Sequence, residues 1–170
     1  MKIKLPALFV FVLLLLVIAG NNAVYSQIIN ADSLENVLKN SSEEDQILIL
    51  KKLSEYYINS TPEKAIKSAN KLLIIAEKND STNIVDYCYQ ILGQAFYLQD
   101  NYKKALEYFD KFMTNQIIKN DDKGLARAYN NLGIAYRALE NYEKAIECYE
   151  KSLELNKKLN DKRGLSRSYN

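Results

Sequence analysis

Residues 88–130, CYQILGQAFYLQDNYKKALEYFDKFMTNQIIKNDDKGLARAYN, return 40 positions later as residues 128–170, AYNNLGIAYRALENYEKAIECYEKSLELNKKLNDKRGLSRSYN. The copies share Tyr89/Tyr129, Leu92/Leu132, Gly93/Gly133 and Ala95/Ala135, then Asn101/Asn141, Tyr102/Tyr142, Lys104/Lys144 and Ala105/Ala145. They coincide again at Asp121/Asp161, Gly124/Gly164, Leu125/Leu165 and Arg127/Arg167. A period of this length describes a stacked array in which each unit buries its apolar face only against its neighbours. Such a chain is built to present a surface.

Working outward, the pattern is helical almost throughout from Ser42. Ser42 precedes Glu43, Glu44 and Asp45, a hydroxyl cap followed by acids where the helix dipole favours them. The helix it opens runs to about Ile58, with Leu48, Leu50, Leu53, Tyr56 and Tyr57 expected on its apolar side. Thr61-Pro62 restarts the chain with an N-cap hydroxyl and a proline at the first helical position. Residues 84–98 pair with 102–119, and 122–138 with 142–159. Asn101, Asn141, Asp121 and Asp161 stand where their side chains can accept from exposed helix N–H groups. Upstream, Asp32-Ser33-Leu34-Glu35 has the form of a capping box and opens a short helix. Connections this short make successive helices antiparallel. The fold class expected is all-α, an antiparallel helix-pair solenoid.

The ends set further bounds. Met1-Lys2-Ile3-Lys4 is a basic start, and Leu5 to Ala19 is apolar throughout apart from Pro6. That run is shorter than the ~20 residues of a membrane-spanning helix. It reads as a secretory signal cut between Ser26 and Gln27, with an uncleaved N-terminal anchor as the alternative. The expected location is therefore the periplasm or cell envelope of a bacterium. Loss of Lys2 and Lys4 brings the 23 basic residues level with the 21 acidic ones. A neutral mature chain lacks the basic excess of a nucleic-acid binder. Contact with a membrane is expected only through an uncleaved signal or a segment beyond Asn170.

The domain division that follows is a signal peptide at 1–26, a short capping helix at 27–42, and helix-pair units at 43–79, 84–120 and 122–160. Residues 161–170 begin a fourth unit, in which Leu165 and Tyr169 repeat the core-facing Leu125 and Tyr129. A solenoid normally closes on a polar outer face, so the expectation is that the sequence is the front part of a longer protein.

The helix pairs carry a further pattern. Tyr129-x-x-Leu132-Gly133-x-x-Tyr136 followed by Ala145-x-x-x-Tyr149-x-x-Ser152 resembles the tetratricopeptide repeat. The unit before it matches through Tyr89, Leu92, Gly93, Phe96, Ala105 and Phe109. The first unit matches more weakly, through Leu50, Leu53, Ser54, Tyr57, Ala65 and Ala69, with an inter-helix turn one residue shorter. The resemblance implies a right-handed superhelix whose first helices line a concave face. The usual step is about 34 residues and ends near a proline. Ile117 and Lys157 stand at that place instead, and the second helix runs on to Asn-Asp. This long-step form, with residues 161–170, looks like the exported N-terminal regions of bacterial sensor proteins. In those proteins such a region precedes a transmembrane helix and a kinase or DNA-binding output domain.

The resemblance also places candidate contacts on the first helix of each unit. They are Arg127, Asn130, Asn131, Ile134 and Arg137 in the third unit, and Tyr87, Gln90, Gln94 and Tyr97 in the second. Peptide-binding members of the family place an asparagine where Asn131 stands, and an amide both donates and accepts. Ile91 and Lys52 occupy the equivalent places, and the paired lysines and arginine that clamp a C-terminal carboxylate in chaperone-binding relatives are not evident.

Catalysis finds no support in the residues. There is no histidine, phosphate loop or nucleophile elbow, so no catalytic residue, metal site or cofactor is expected. Cys88 and Cys148 read as small core residues rather than a disulfide. The expected function is an exported, non-catalytic binder of a protein or peptide segment, the sensor or scaffold part of a longer signalling protein. The alternatives are a purely structural envelope scaffold, or the leading region of a histidine kinase.

Overall fold

The computed structural model describes residues 31–168, with side chains to residue 166. The signal-peptide reading, Tyr169 and the side chain of Arg167 lie outside those residues. Two compact units divide the chain at Asn40 and Ser41. In the first, the described part is helix α1, Ala31–Leu38. Asp32, expected to cap this helix from outside, lies within it.

The second unit is a chain of helices, each packed on the next. They are α2 (Glu43–Tyr57), α3 (Pro62–Lys78), α4 (Thr82–Leu98), α5 (Tyr102–Lys119), α6 (Asp122–Ala138), α7 (Tyr142–Lys158) and α8 (Lys162–Ser168). No strand occurs among the described residues.

The turns explain the regularity. Asp80, Asp100, Asn120, Glu140 and Asn160 all have positive φ, and they fall 20 residues apart. Around each, the chain closes a Schellman turn. The N–H of Ser81 donates to the Ala76 carbonyl at 2.8 Å, Asn101 to Phe96 at 2.9 Å, and Asp121 to Gln116 at 3.0 Å. Asn141 bonds Tyr136 and Asp161 bonds Asn156 in the same way, both at 3.0 Å. The residue that ends one helix's turn is thus the N-cap of the next. Asn101, Asp121 and Asn141 accept from the N–H three residues on, and Asp161 accepts from Gly164.

Thr61 departs from expectation and makes no side-chain cap bond. Its carbonyl takes the N–H groups of Lys64 and Ala65, and Pro62 has no N–H to satisfy. Ser42 caps α2 as expected, accepting from Asp45 N at 3.2 Å.

Within each pair, small residues set the spacing. A Cβ at Gly93 would meet the Phe109 ring, and one at Gly133 the Tyr149 ring. Ala65, Ala69, Ala105 and Leu92 are fully buried, with Leu53 and Phe112 nearly so. In α2 the buried stripe is Ile49, Leu50, Leu53, Ser54 and Tyr57. Leu48 and Tyr56, expected on that stripe, are 40% and 61% exposed. Each sits one residue off the i, i+3/i+4 series, about 100° around the helix.

Two polar devices recur. A lysine at the start of the second helix lies over the aromatic ring near the end of the first: Lys64 over Tyr57 at 4.7 Å, Lys104 over Phe96 at 5.0 Å, Lys144 over Tyr136 at 5.4 Å. A lysine near the end of the second helix reaches an acid at the start of the first: Lys78–Glu43 at 2.7 Å, Lys119–Asp86 at 2.6 Å and Lys158–Asp122 at 2.9 Å. In the Glu43 and Asp122 pairs the acid lies in the first turn of its helix, where the dipole favours it. Cys88 and Cys148 are buried, unbonded thiols.

Candidate functional site

Helices α4 and α6 present one face each to a common groove. On α4, Gln90, Gln94 and Tyr97 follow one another at i, i+4 and i+7. On α6, Arg127, Asn130, Asn131 and Ile134 do the same. The groove encloses about 540 Å³. Phe109 of α5 and Ser152 and Asn156 of α7 reach it from the second helices. Lys123, Asp161 and Gly164 line its far end.

Seven of the nine residues singled out from the sequence therefore share one cavity. Tyr87 and Arg137 do not line it. Tyr87 turns toward α2, where its hydroxyl lies 3.0 Å from Ser54 Oγ and donates to the Lys51 carbonyl and Glu55 Oε1, both at 3.2 Å. Burial drives its phenol pKa upward, and the Lys51 ammonium covers the ring at 4.9 Å. It braces α4 on α2. Arg137 is exposed at the end of α6. Its charge acts on Tyr149, whose phenol is nevertheless raised by burial.

The groove's electrostatics are uneven. Asp161 is committed: it accepts from the N–H groups of Gly164 and Arg163, both at 3.1 Å, and lies 3.7 Å from Lys123. The Gly164 N–H, above all, holds its carboxyl below the usual range. Arg127 has no such partner among the described residues. Asn130 Oδ1 is buried and accepts no hydrogen bond from any described group.

Sequence reasoning missed several buried polar groups. Gln116 and Asn156 are 2% and 4% exposed, 40 residues apart, on the second helices. A Cβ at Gly124 would collide with the Gln116 amide, and one at Gly164 with that of Asn156. The signal was present: a buried-register amide and a glycine recur together in both copies. Asp86 was missed too. Its carboxylate accepts from Asn115 at 2.7 Å, Gln116 at 2.8 Å and Lys119 at 2.6 Å, tying α4 to α5. Ala126 replaces it in the next unit, so the repeat conceals it. Among the described residues no cluster of His, Cys, Asp or Glu could hold a metal ion, and no helix is long and apolar enough to cross a membrane.

Residues 87–158 and 124–170 match the tetratricopeptide repeat family. The fold is also shared with solved structures. The tetratricopeptide domain of Arabidopsis FLU is 21% identical at a TM-score of 0.63, over 66% of this chain and 96% of that one. The apo form of RapI is 22% identical at a TM-score of 0.72, over 81% of this chain and 40% of that one. MamA is 26% identical at a TM-score of 0.59, over 82% of this chain and 70% of that one. No curated protein matches the sequence.

Proposed function

We propose, from repeats of this family across residues 87–170, that the chain is a non-catalytic module that holds a protein or peptide segment in the groove between α4 and α6. One observation carries the reading: seven side chains that the family resemblance puts on the first helices line a single cavity of about 540 Å³. Four of them are amides, Gln90, Gln94, Asn130 and Asn131, which donate and accept along a peptide backbone with little regard for its sequence. Ile134 and Tyr97 add apolar contact.

The module is exported, and it is the sensor or scaffold part of a longer signalling protein. The basic start and apolar run at residues 1–19 support export, and the 40-residue step supports the sensor form. Expression in a bacterial host tests the first point: the mature protein should begin at Gln27. A full-length product confined to the cytoplasm would remove export from the reading.

Binding is tested by replacing Asn131 and Arg127 together with alanine. Both side chains are at least partly exposed, so the variant should fold and yet lose most of the wild-type capture in a pull-down from envelope extract. Equal capture by a folded variant would take the groove out of the reading.

A further inference from the structure

We infer that the groove reads an acidic side chain within an extended peptide, with Arg127 as its counter-ion and Asn130 as acceptor for an adjacent main-chain N–H. This rests on the peptide-binding reading above and adds the chemistry of the peptide.

The charges around the groove leave one cation unspent. Lys123 faces Asp161 at 3.7 Å, and Asp161 is further occupied by the N–H groups of Gly164 and Arg163. Arg127 stands one turn further along α6, exposed, and has no ion pair or hydrogen bond among the described residues. A guanidinium offers a planar fork of donors that matches a carboxylate. Asp161 takes both capping N–H groups on Oδ1 and faces Lys123 with Oδ2, so those two charges offset each other and Arg127 leaves the groove with one net positive charge. The groove therefore favours a negative guest.

A second observation comes from Asn130. Its Oδ1 is buried and unmet, although the residue lines the same cavity. A buried acceptor without a donor is unfavourable, and a ligand N–H removes that cost once the amide turns toward it. Arg127 and Asn130 lie three residues apart, so they share a face and are separated by about 4.5 Å along the helix. An extended peptide advances about 3.4 Å per residue. One acidic residue can then place its carboxylate on Arg127 while its own or its neighbour's N–H meets Asn130. Gln90 and Gln94 on the opposite wall meet the remaining backbone groups.

The test is fluorescence anisotropy with a set of labelled hexapeptides, acetylated and amidated, each position varied among Glu, Asp, Gln and Leu. Wild-type protein should prefer an acid at one position over Gln by about threefold, as an ion pair to an exposed guanidinium provides. Arg127→Gln should erase that preference, so that Glu and Gln peptides bind the variant equally. Arg127→Lys should restore part of it. Asn130→Ala should weaken acidic and neutral peptides alike, because it contacts backbone; circular dichroism verifies that each variant is folded. Equal binding of Glu and Gln peptides by the wild type would overturn the inference and leave the peptide-binding reading standing. The same hexapeptides are also made without the C-terminal amide; binding confined to that free-carboxylate set would overturn it as well, since the chain end would then be the group recognised. No binding of any hexapeptide by folded protein would sink both readings.

Discussion

Gly133 lies so close to Tyr149 that a methyl group on it would stand 2.6 Å from the ring's Cε1. Gly93 has the same relation to Phe109. These two contacts determine how near the first and second helices of a pair can approach, and the groove walls follow from that approach.

Alanine at either glycine gains about 1 kcal/mol of helix propensity and meets an overpacking cost of about 1–3 kcal/mol. The rings differ in freedom, since Phe109 is 4% exposed and Tyr149 is only half-buried. Gly93→Ala should therefore destabilise by about 2 kcal/mol, and Gly133→Ala by less than about 1 kcal/mol. Urea unfolding followed by circular dichroism checks the order. Equal losses would show that ring freedom does not decide it.

Glu140 is the outlier among the turn residues. Its φ is 58°, in a place filled elsewhere by Asp or Asn, which tolerate the left-handed region better. Glu140→Gly should stabilise the chain by about 0.5–1 kcal/mol, seen as a higher urea midpoint at unchanged slope. A lower midpoint would refute the assignment of strain to this turn.

Asp86 gathers three donors while its side chain is 10% exposed. Asp86→Ala removes an acceptor from three donors, of which Lys119 keeps Asn83 and Gln116 keeps the Phe112 carbonyl, and should cost about 2–3 kcal/mol. The double change with Lys119→Met should recover part of that loss in a double-mutant cycle. Additive losses would mean that the ion pair contributes nothing of its own.

Burial pushes the Cys88 thiol up to about 12 and raises that of Cys148, from ordinary values near 9. The folded chain keeps protons that the unfolded chain releases above about pH 9, so this stability is complete below that pH and is lost as pH rises toward 12. The urea midpoint should fall between about pH 8 and pH 10.5, and Cys88→Ala should reduce the fall. The raised tyrosines Tyr87 and Tyr89 share in it, so some decline should remain. An identical profile for Cys88→Ala would deny the thiol any part.

Much of the architecture was legible because helix pairs leave local marks. Asn101, Asp121 and Asn141 are readable as caps from their own neighbours, and each accepts the expected N–H. Seven of the groove residues could be placed because the tetratricopeptide resemblance points to the first helices, and helical spacing then puts i, i+4 and i+7 on one face. Tyr87 satisfied the same spacing and was misplaced. Its hydroxyl found Ser54 and Glu55 on the preceding pair, a contact 32 or more residues away that no local pattern announces. Leu48 and Tyr56 failed for a related reason: α2 is apolar on more than one side, and the choice of buried side depends on its partners.

The sequence by itself determined the helices, their antiparallel order and the period, since capping, helical spacing and turn chemistry act over a few residues. Only the tertiary structure decided which polar groups are spent and which remain. Asp86 and Asp161 look alike as acids near a helix start, yet one is sealed under three donors and the other is committed to a cap and a lysine. Arg127 and Lys123 look alike as cations, yet only Arg127 is left without a carboxylate among the described residues. Partnership depends on distances between helices, and those are settled by contacts such as Gly133 on Tyr149.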